Sequence, residues 1–122
     1  MRLKIHSDGF EGYSERSLAR AKKLARGKKI QSELSITFED PIQMARVITP
    51  ERIRVCQTLR PGALSLSELA AELGRDRKAV SRDVALLEEL GLVTTRLEAN
   101  SGHGRVRMVE ATADKFDLRV AF

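Results

Sequence analysis

Tryptophan is absent from this 122-residue sequence, cysteine occurs once, and four phenylalanines and one tyrosine are the only aromatic residues. A lone Cys56 excludes an intramolecular disulfide, and its place in a helical apolar pattern makes it a small core residue and not a reactive thiol. Two histidines, His6 and His103, together with that one cysteine cannot supply the ligands of a metal constellation. No Gly-rich loop opens into a helix, as phosphate cradling would require. No cofactor is therefore expected. Apolar runs stay well short of the roughly eighteen residues of a membrane span, and no signal-peptide pattern opens the chain. No membrane partner and a cytoplasmic location are predicted. Catalysis needs a nucleophile with its base, or two carboxylates held across a pocket. Carboxylates scattered along helix surfaces do not offer this, and the chain is not expected to be an enzyme.

What is present is the composition of a folded domain, 42% apolar and 32% charged. The length allows one core with little room for a second. The net charge of +5 is unevenly placed: residues 1–31 hold nine Lys or Arg against three Asp or Glu, whereas residues 61–91 hold four against six. A basic excess at the N-terminal end supports a nucleic-acid partner.

The most informative stretch runs from Ser65 to Val93. Ser65 and Glu68 form a capping box, so a helix starts near Leu66, and Leu69, Ala70 and Leu73 share one face of it. Gly74 ends that helix by turning out with a positive φ. Asp76 is the N-cap of a second helix reaching Leu90. At about 100° per residue, Val80, Val84, Leu87 and Leu90 make one stripe. Lys78, Ser81, Arg82 and Ala85 lie opposite, Arg77 lies on the flank, and Asp83 is placed to pair with a neighbouring arginine. An amphipathic helix with a solvated polar face is the plainer reading. The ordered set of capped helix, glycine turn, amphipathic helix and following strand instead predicts a helix-turn-helix with a wing. Cations and a hydroxyl early in such a second helix suit guanine edges and phosphates in the major groove.

Before this unit, Arg2–His6 alternates as a strand and Ser7-Asp8-Gly9 supplies a turn. A basic helix is predicted from after Ser14 to about Arg26, with Leu18, Ala21 and Leu24 apolar and Arg16, Arg20, Lys22, Lys23 and Arg26 around them. Its basic face suits either DNA or solvent. Leu34–Phe38 alternates as a second strand. Asp40-Pro41 opens a helix carrying Ile42, Ala45 and Val47-Ile48, and Thr49-Pro50 opens another that buries Ile53, Cys56 and Leu59. Ala63-Leu64 suits a short strand. Behind the second helix, Leu92–Leu97 and Arg105–Val109 form the antiparallel wing, with Asn100–Gly104 as its tip and Arg96, Arg105 and Arg107 flanking it. The closing Phe116, Leu118, Val120 and Phe122 face one way in a half-buried strand. Strands near residues 3, 36 and 119 are expected to pair outside the winged unit, within one chain or across a dimer.

These features predict an α+β protein: a winged helix-turn-helix over 41–110, an N-terminal strand-helix-strand extension over 1–40 that carries the basic helix, and a C-terminal strand over 111–122. SITFEDP, ITPERIRVCQTLR, LSLSELAAELGRDRKAVSRDVALLEELGLV and KFDLRVAF, in that order, resemble the small prokaryotic winged helix-turn-helix proteins described as MarR-like transcriptional regulators, several of which are antitoxin-like. The resemblance implies transcription regulation through double-stranded DNA, DNA-reading positions at Arg77, Lys78, Ser81 and Arg82, and in some members a cognate toxin as partner. The stretch Glu98–Gly104 reads as longer than the short wing turn usual in that family.

Arg75 in the turn and Arg96, Arg105 and Arg107 on the wing complete the candidate DNA-binding residues. One recognition helix covers only about four to six base pairs, so a homodimer is expected, with the strand ending at Phe122 and the strand around Ile36 as its candidate interface. The competing reading is a winged-helix protein-interaction module without DNA binding. Such a module would carry large apolar or aromatic residues on the face that holds Lys78 and Arg82.

Overall fold

Leu3 and Ile5, two residues apart, point to the same side of the first strand, and both are buried in the computed structural model, which describes residues 2–28, 34–100, 102 and 104–122. In chain order the elements are β1 (Arg2–His6), α1 (Gly9–Ala25), β2 (Leu34–Thr37), α2 (Pro41–Val47), α3 (Pro50–Thr58), β3 (Leu64–Ser65), α4 (Leu66–Leu73), α5 (Arg77–Leu90), β4 (Val93–Asn100), β5 (Gly104–Ala111) and β6 (Lys115–Arg119). They form two compact units, one made of Met1–Val47 with Lys115–Phe122 and the other of Ile48–Asp114. No described helix is long and apolar enough to cross a membrane.

In the first unit β1 is the central strand of a three-stranded parallel sheet ordered β2-β1-β6, which is the pairing expected of the strands near residues 3, 36 and 119. Leu3 registers with Leu34 and Phe116, and Ile5 with Ile36 and Leu118, so apolar side chains share one face. Burial is deepest on β1 because it has a neighbour on each side; Leu34 and Leu118 on the edges are exposed. The C-terminal strand is shorter and less buried than its alternation predicts. It ends at Arg119, Phe116 is half-buried, and Leu118, Val120 and Phe122 are exposed. Ser7 holds the end of this segment, its hydroxyl donating to the Arg119 carbonyl at 3.0 Å and accepting from the Ala121 amide at 3.3 Å.

Helix α1 begins at Gly9, not after Ser14. Gly9, which reads as part of a turn, and Gly12 both stand at close approaches. A Cβ on Gly9, which has φ +62°, would lie 2.9 Å from the Glu39 carbonyl oxygen, and one on Gly12 would collide with the Asp8 carboxylate. In α2, Met44 is buried and Ile42 and Ala45 are exposed, against prediction, whereas Val47 is half-buried and Ile48, just past its end, is buried as predicted. The first turn is fixed by two bonds, Gln43 N to Asp40 Oδ1 and Glu39 N to Gln43 Oε1, both 2.8 Å.

The second unit packs α3, α4 and α5 with a three-stranded antiparallel sheet ordered β3-β5-β4. Its core includes Val55, Leu59, Leu69, Val80, Leu87, Val93 and Val109. Val55 lies deepest on α3, with Cys56 also buried and Ile53 only half-buried. Burial pushes the Cys56 thiol up to about 11, which keeps it protonated and inert at neutral pH. The short strand falls at Leu64–Ser65, one residue later than predicted. The hairpin pairs from Val93↔Ala111 out to Asn100↔Gly104, so Glu98, Ala99 and Asn100 are strand and not loop. Of the predicted tip, Ser101 and His103 lie outside the described residues.

Candidate nucleic-acid interface

The helix-turn-helix is built by local chemistry that the sequence specifies. Ser65 Oγ accepts the Glu68 amide at 3.1 Å and Glu68 Oε1 accepts the Ser65 amide at 3.0 Å, closing the capping box at the start of α4. These bonds hold the Glu68 carboxyl below the usual carboxylate range. Gly74 ends α4 in the left-handed region at φ 61°, where a side chain would be strained, and the Arg75 amide then closes onto the Ala70 carbonyl at 3.1 Å. Asp76, in extended backbone, caps α5 by accepting the Lys78 amide at 3.1 Å.

Val80, Val84 and Leu87 anchor α5. Leu90, predicted on the same stripe, is half-buried where the helix ends. On the far side Lys78, Arg82 and Ala85 are exposed, Arg77 is exposed beside them, and Ser81 is half-buried. None of the three cations takes an ion pair or side-chain hydrogen bond among the described residues. They sit in the first six residues of the helix, and the acids Glu88 and Glu89 sit near its end. Glu88 is drawn onto the wing, where it accepts from the Thr95 amide and hydroxyl.

Arg75 is placed differently from the other candidates. Its Nη2 lies 2.9 Å from Asp83 Oδ2, while Arg52 Nε on α3 lies 3.1 Å from Asp83 Oδ1. Arg75 Nη1 is enclosed without a partner. One buried carboxylate thus links α3, the turn and α5. The expected pairing of Asp83 is found, but the contribution of Arg52 was missed, because sequence offers no measure of which α3 side chain crosses to α5. An acid directly beside the Val80–Val84–Leu87 stripe is the signal that points to a buried pair.

The wing's arginines divide between two faces. Arg96 bonds Glu98 at 2.7 Å and Glu110 at 3.0 Å. These bonds, Glu98's first, hold its guanidinium above its ordinary range. Arg105 and Arg107 register with Ala99 and Leu97 on the other face of the hairpin. Both are exposed and carry no ion pair among the described residues. Among the candidate residues, exposed charge without an ion pair among the described residues therefore lies on Arg77, Lys78, Arg82, Arg105 and Arg107, whereas Arg75 and Arg96 are paired. Among the described residues no group of three or more His, Cys, Asp or Glu side chains is placed to hold a metal ion.

Residues 47–96 match a family model described as "Helix-turn-helix domain". That segment covers α3 through α5 and enters the wing, and it establishes the helix-turn-helix within the mixed fold. No curated protein matches the chain. Among solved structures, a possible transcriptional regulator from Methanosarcina mazei Go1 is 20% identical, with TM-score 0.51, over 59% of this chain and 62% of that one, so this chain spans less than two thirds of its length. A possible transcriptional regulator for arsenical resistance is 32% identical over 57% of this chain and 67% of its own, with TM-score 0.46. HlyU from Vibrio vulnificus CMCP6 is 26% identical over 82% and 79% of the two chains, with TM-score 0.49.

Proposed function

We propose that the protein is a sequence-specific double-stranded DNA-binding transcriptional regulator that lays α5 in the major groove and acts as a homodimer on two half-sites. The observation that carries this reading is the exposed, unpaired set of Arg77, Lys78 and Arg82 on a helix whose opposite side is locked into the core by Val80, Val84 and Leu87. A helix held this way has little backbone freedom left to lose on binding. Ser81 supplies a hydroxyl between them, and Arg105 and Arg107 offer phosphate contacts from the wing. An interaction module would require a large apolar residue on that face of α5, and Ala85 is the only apolar side chain exposed there.

The match over residues 47–96 to a helix-turn-helix domain supports the same reading. A regulator of this kind works in the cytoplasm. A MarR-like or autoregulating antitoxin role, with a cognate toxin bound, rests on sequence resemblance alone, and co-purification with the product of an adjacent gene tests it.

DNA from the protein's own upstream region, titrated beside an unrelated duplex at several salt concentrations, tests the central claim. Preference for the cognate duplex by about 10³ or more, with log affinity falling as log salt rises, is expected. Equal affinity for both duplexes would overturn sequence-specific regulation.

A further inference from the structure

Helix α1 is 17 residues long, yet only Gly9 and Gly12 in it are buried. From Ser17 to its end every residue is exposed. Helices of this length are marginal in water without packing. Its large apolar side chains are left in solvent: Phe10 is 79% exposed, Tyr13 51%, Leu18 58% and Leu24 61%. At about 100° per residue Phe10, Ser14, Ser17, Ala21 and Leu24 fall on one stripe, with Tyr13 and Leu18 on its two borders. The small residues Ser14, Ser17 and Ala21 lie at its middle, where they allow another helix to approach closely.

We infer that this stripe is the contact between two copies of the chain, paired as antiparallel α1 helices about a two-fold axis through Ser17. The stripe is self-complementary in that arrangement. Phe10 meets Leu24 of the second copy, the small central residues face one another, and the geometry satisfies the isologous rule that each contact occurs twice. Charge is complementary as well. The acids Glu11 and Glu15 lie toward the start of α1, and Arg20, Lys22, Lys23 and Arg26 toward its end. Parallel pairing would set cations beside cations, whereas antiparallel pairing brings Glu11 beside Lys22 of the second copy, on the same flank of the stripe. Neither Glu11 nor Lys22 takes an ion pair or side-chain hydrogen bond among the described residues, so both are available. On the other flank Tyr13 meets Arg20 of the second copy, a cation over an aromatic ring. A DNA contact would account for the cations alone and would leave the Phe10–Leu24 stripe in water.

This inference rests on the two-copy part of the proposed function and locates its interface. Sedimentation equilibrium on the intact protein is compared for the parent, Glu11→Lys, Lys22→Glu, their equimolar mixture, the double variant and Ala21→Arg, with circular dichroism to confirm folding. All these positions are exposed, so the fold should persist. Each single charge reversal is expected to raise the dimer dissociation constant about tenfold, and both the mixture and the double variant to return it to within about threefold. Ala21→Arg should leave monomer only. A dimeric parent whose association is unchanged in every variant overturns the α1 interface while leaving the two-copy reading intact, and the same result with a flattened salt slope in DNA titrations assigns the helix to DNA. A parent that is monomeric at tens of micromolar overturns the two-copy reading itself.

Discussion

Arg75 Nη2 stands 2.9 Å from Asp83 Oδ2, and this contact turns a residue of the helix-turn-helix turn inward. An arginine beside a candidate recognition helix would otherwise count as a phosphate ligand. Here its charge is answered by a carboxylate of low exposure that also holds Arg52 of α3 at 3.1 Å. The carboxylate thereby sets how α5 lies relative to the helix behind it, which is the angle at which Lys78 and Arg82 are presented.

Asp83→Asn should therefore cost about 2 to 3 kcal/mol of stability, since it leaves two partly buried guanidiniums facing a neutral amide. Chemical denaturation of the variant and of Asp83→Asn/Arg75→Met, in which one of the stranded charges is gone, provides the check. The double variant should be less destabilised than the single one. Equal or greater loss in the double variant would mean that Asp83 does not act through Arg75.

Arg82→Ala and Lys78→Ala should leave stability within about 0.5 kcal/mol, because both side chains are exposed opposite the buried stripe. On the cognate duplex Arg82→Ala should lose roughly 1 to 3 kcal/mol of binding, with a much smaller loss on unrelated DNA. Cognate binding as tight as that of the parent by folded Arg82→Ala, Lys78→Ala and their combination would remove α5 from the major groove.

The wing offers a comparison within one hairpin. Arg96→Gln should change neither cognate affinity nor its salt dependence, because Glu98 and Glu110 already hold that charge. Arg105→Gln with Arg107→Gln should reduce the slope of log affinity against log salt by up to about one unit per lost contact. Fluorescence anisotropy over a salt series measures both, and a larger effect from Arg96 would reverse the assignment of faces.

His6 predicts a pH dependence in the first unit. Burial chiefly, and the Arg16 guanidinium nearby, lower its pKa from the ordinary 6.5. Below that value the unfolded chain takes up a proton that the folded chain does not, so stability is full above pH 6.5 and falls as pH drops toward the folded value. Asp8, held low first by its hydrogen bond from Arg16, contributes in a separate window below its ordinary 3.8. Melting temperature followed from pH 7.5 to 5 should decline in the parent and decline less in His6→Gln. Parallel curves would exclude His6 as the cause.

Local signals in the sequence were sufficient for the elements of the helix-turn-helix. Ser65 with Glu68, Gly74 and Asp76 act on backbone groups within four residues of themselves, so their effect is complete before any distant segment arrives. The Val80–Val84–Leu87 stripe likewise follows from helical period alone, and with it the outward placement of Lys78 and Arg82. The alternation of β1, β2 and β6 marked three strands, but alternation does not carry direction, and the parallel order β2-β1-β6 was decided by tertiary pairing.

Tertiary structure also decided what each charge is used for. Arg75 and Arg82 look alike in the sequence, as do Arg96 and Arg107. One of each pair lies where folding sets a carboxylate against it, Asp83 for Arg75 and Glu98 with Glu110 for Arg96, and the other does not. Gly9 reads as part of a turn because the sequence shows its flexibility but not the Glu39 carbonyl that crowds it. The physical reason is common to these cases. Caps, turns and periodicity are settled by neighbours along the chain, whereas charge neutralisation and close approach depend on atoms that only the folded backbone brings together.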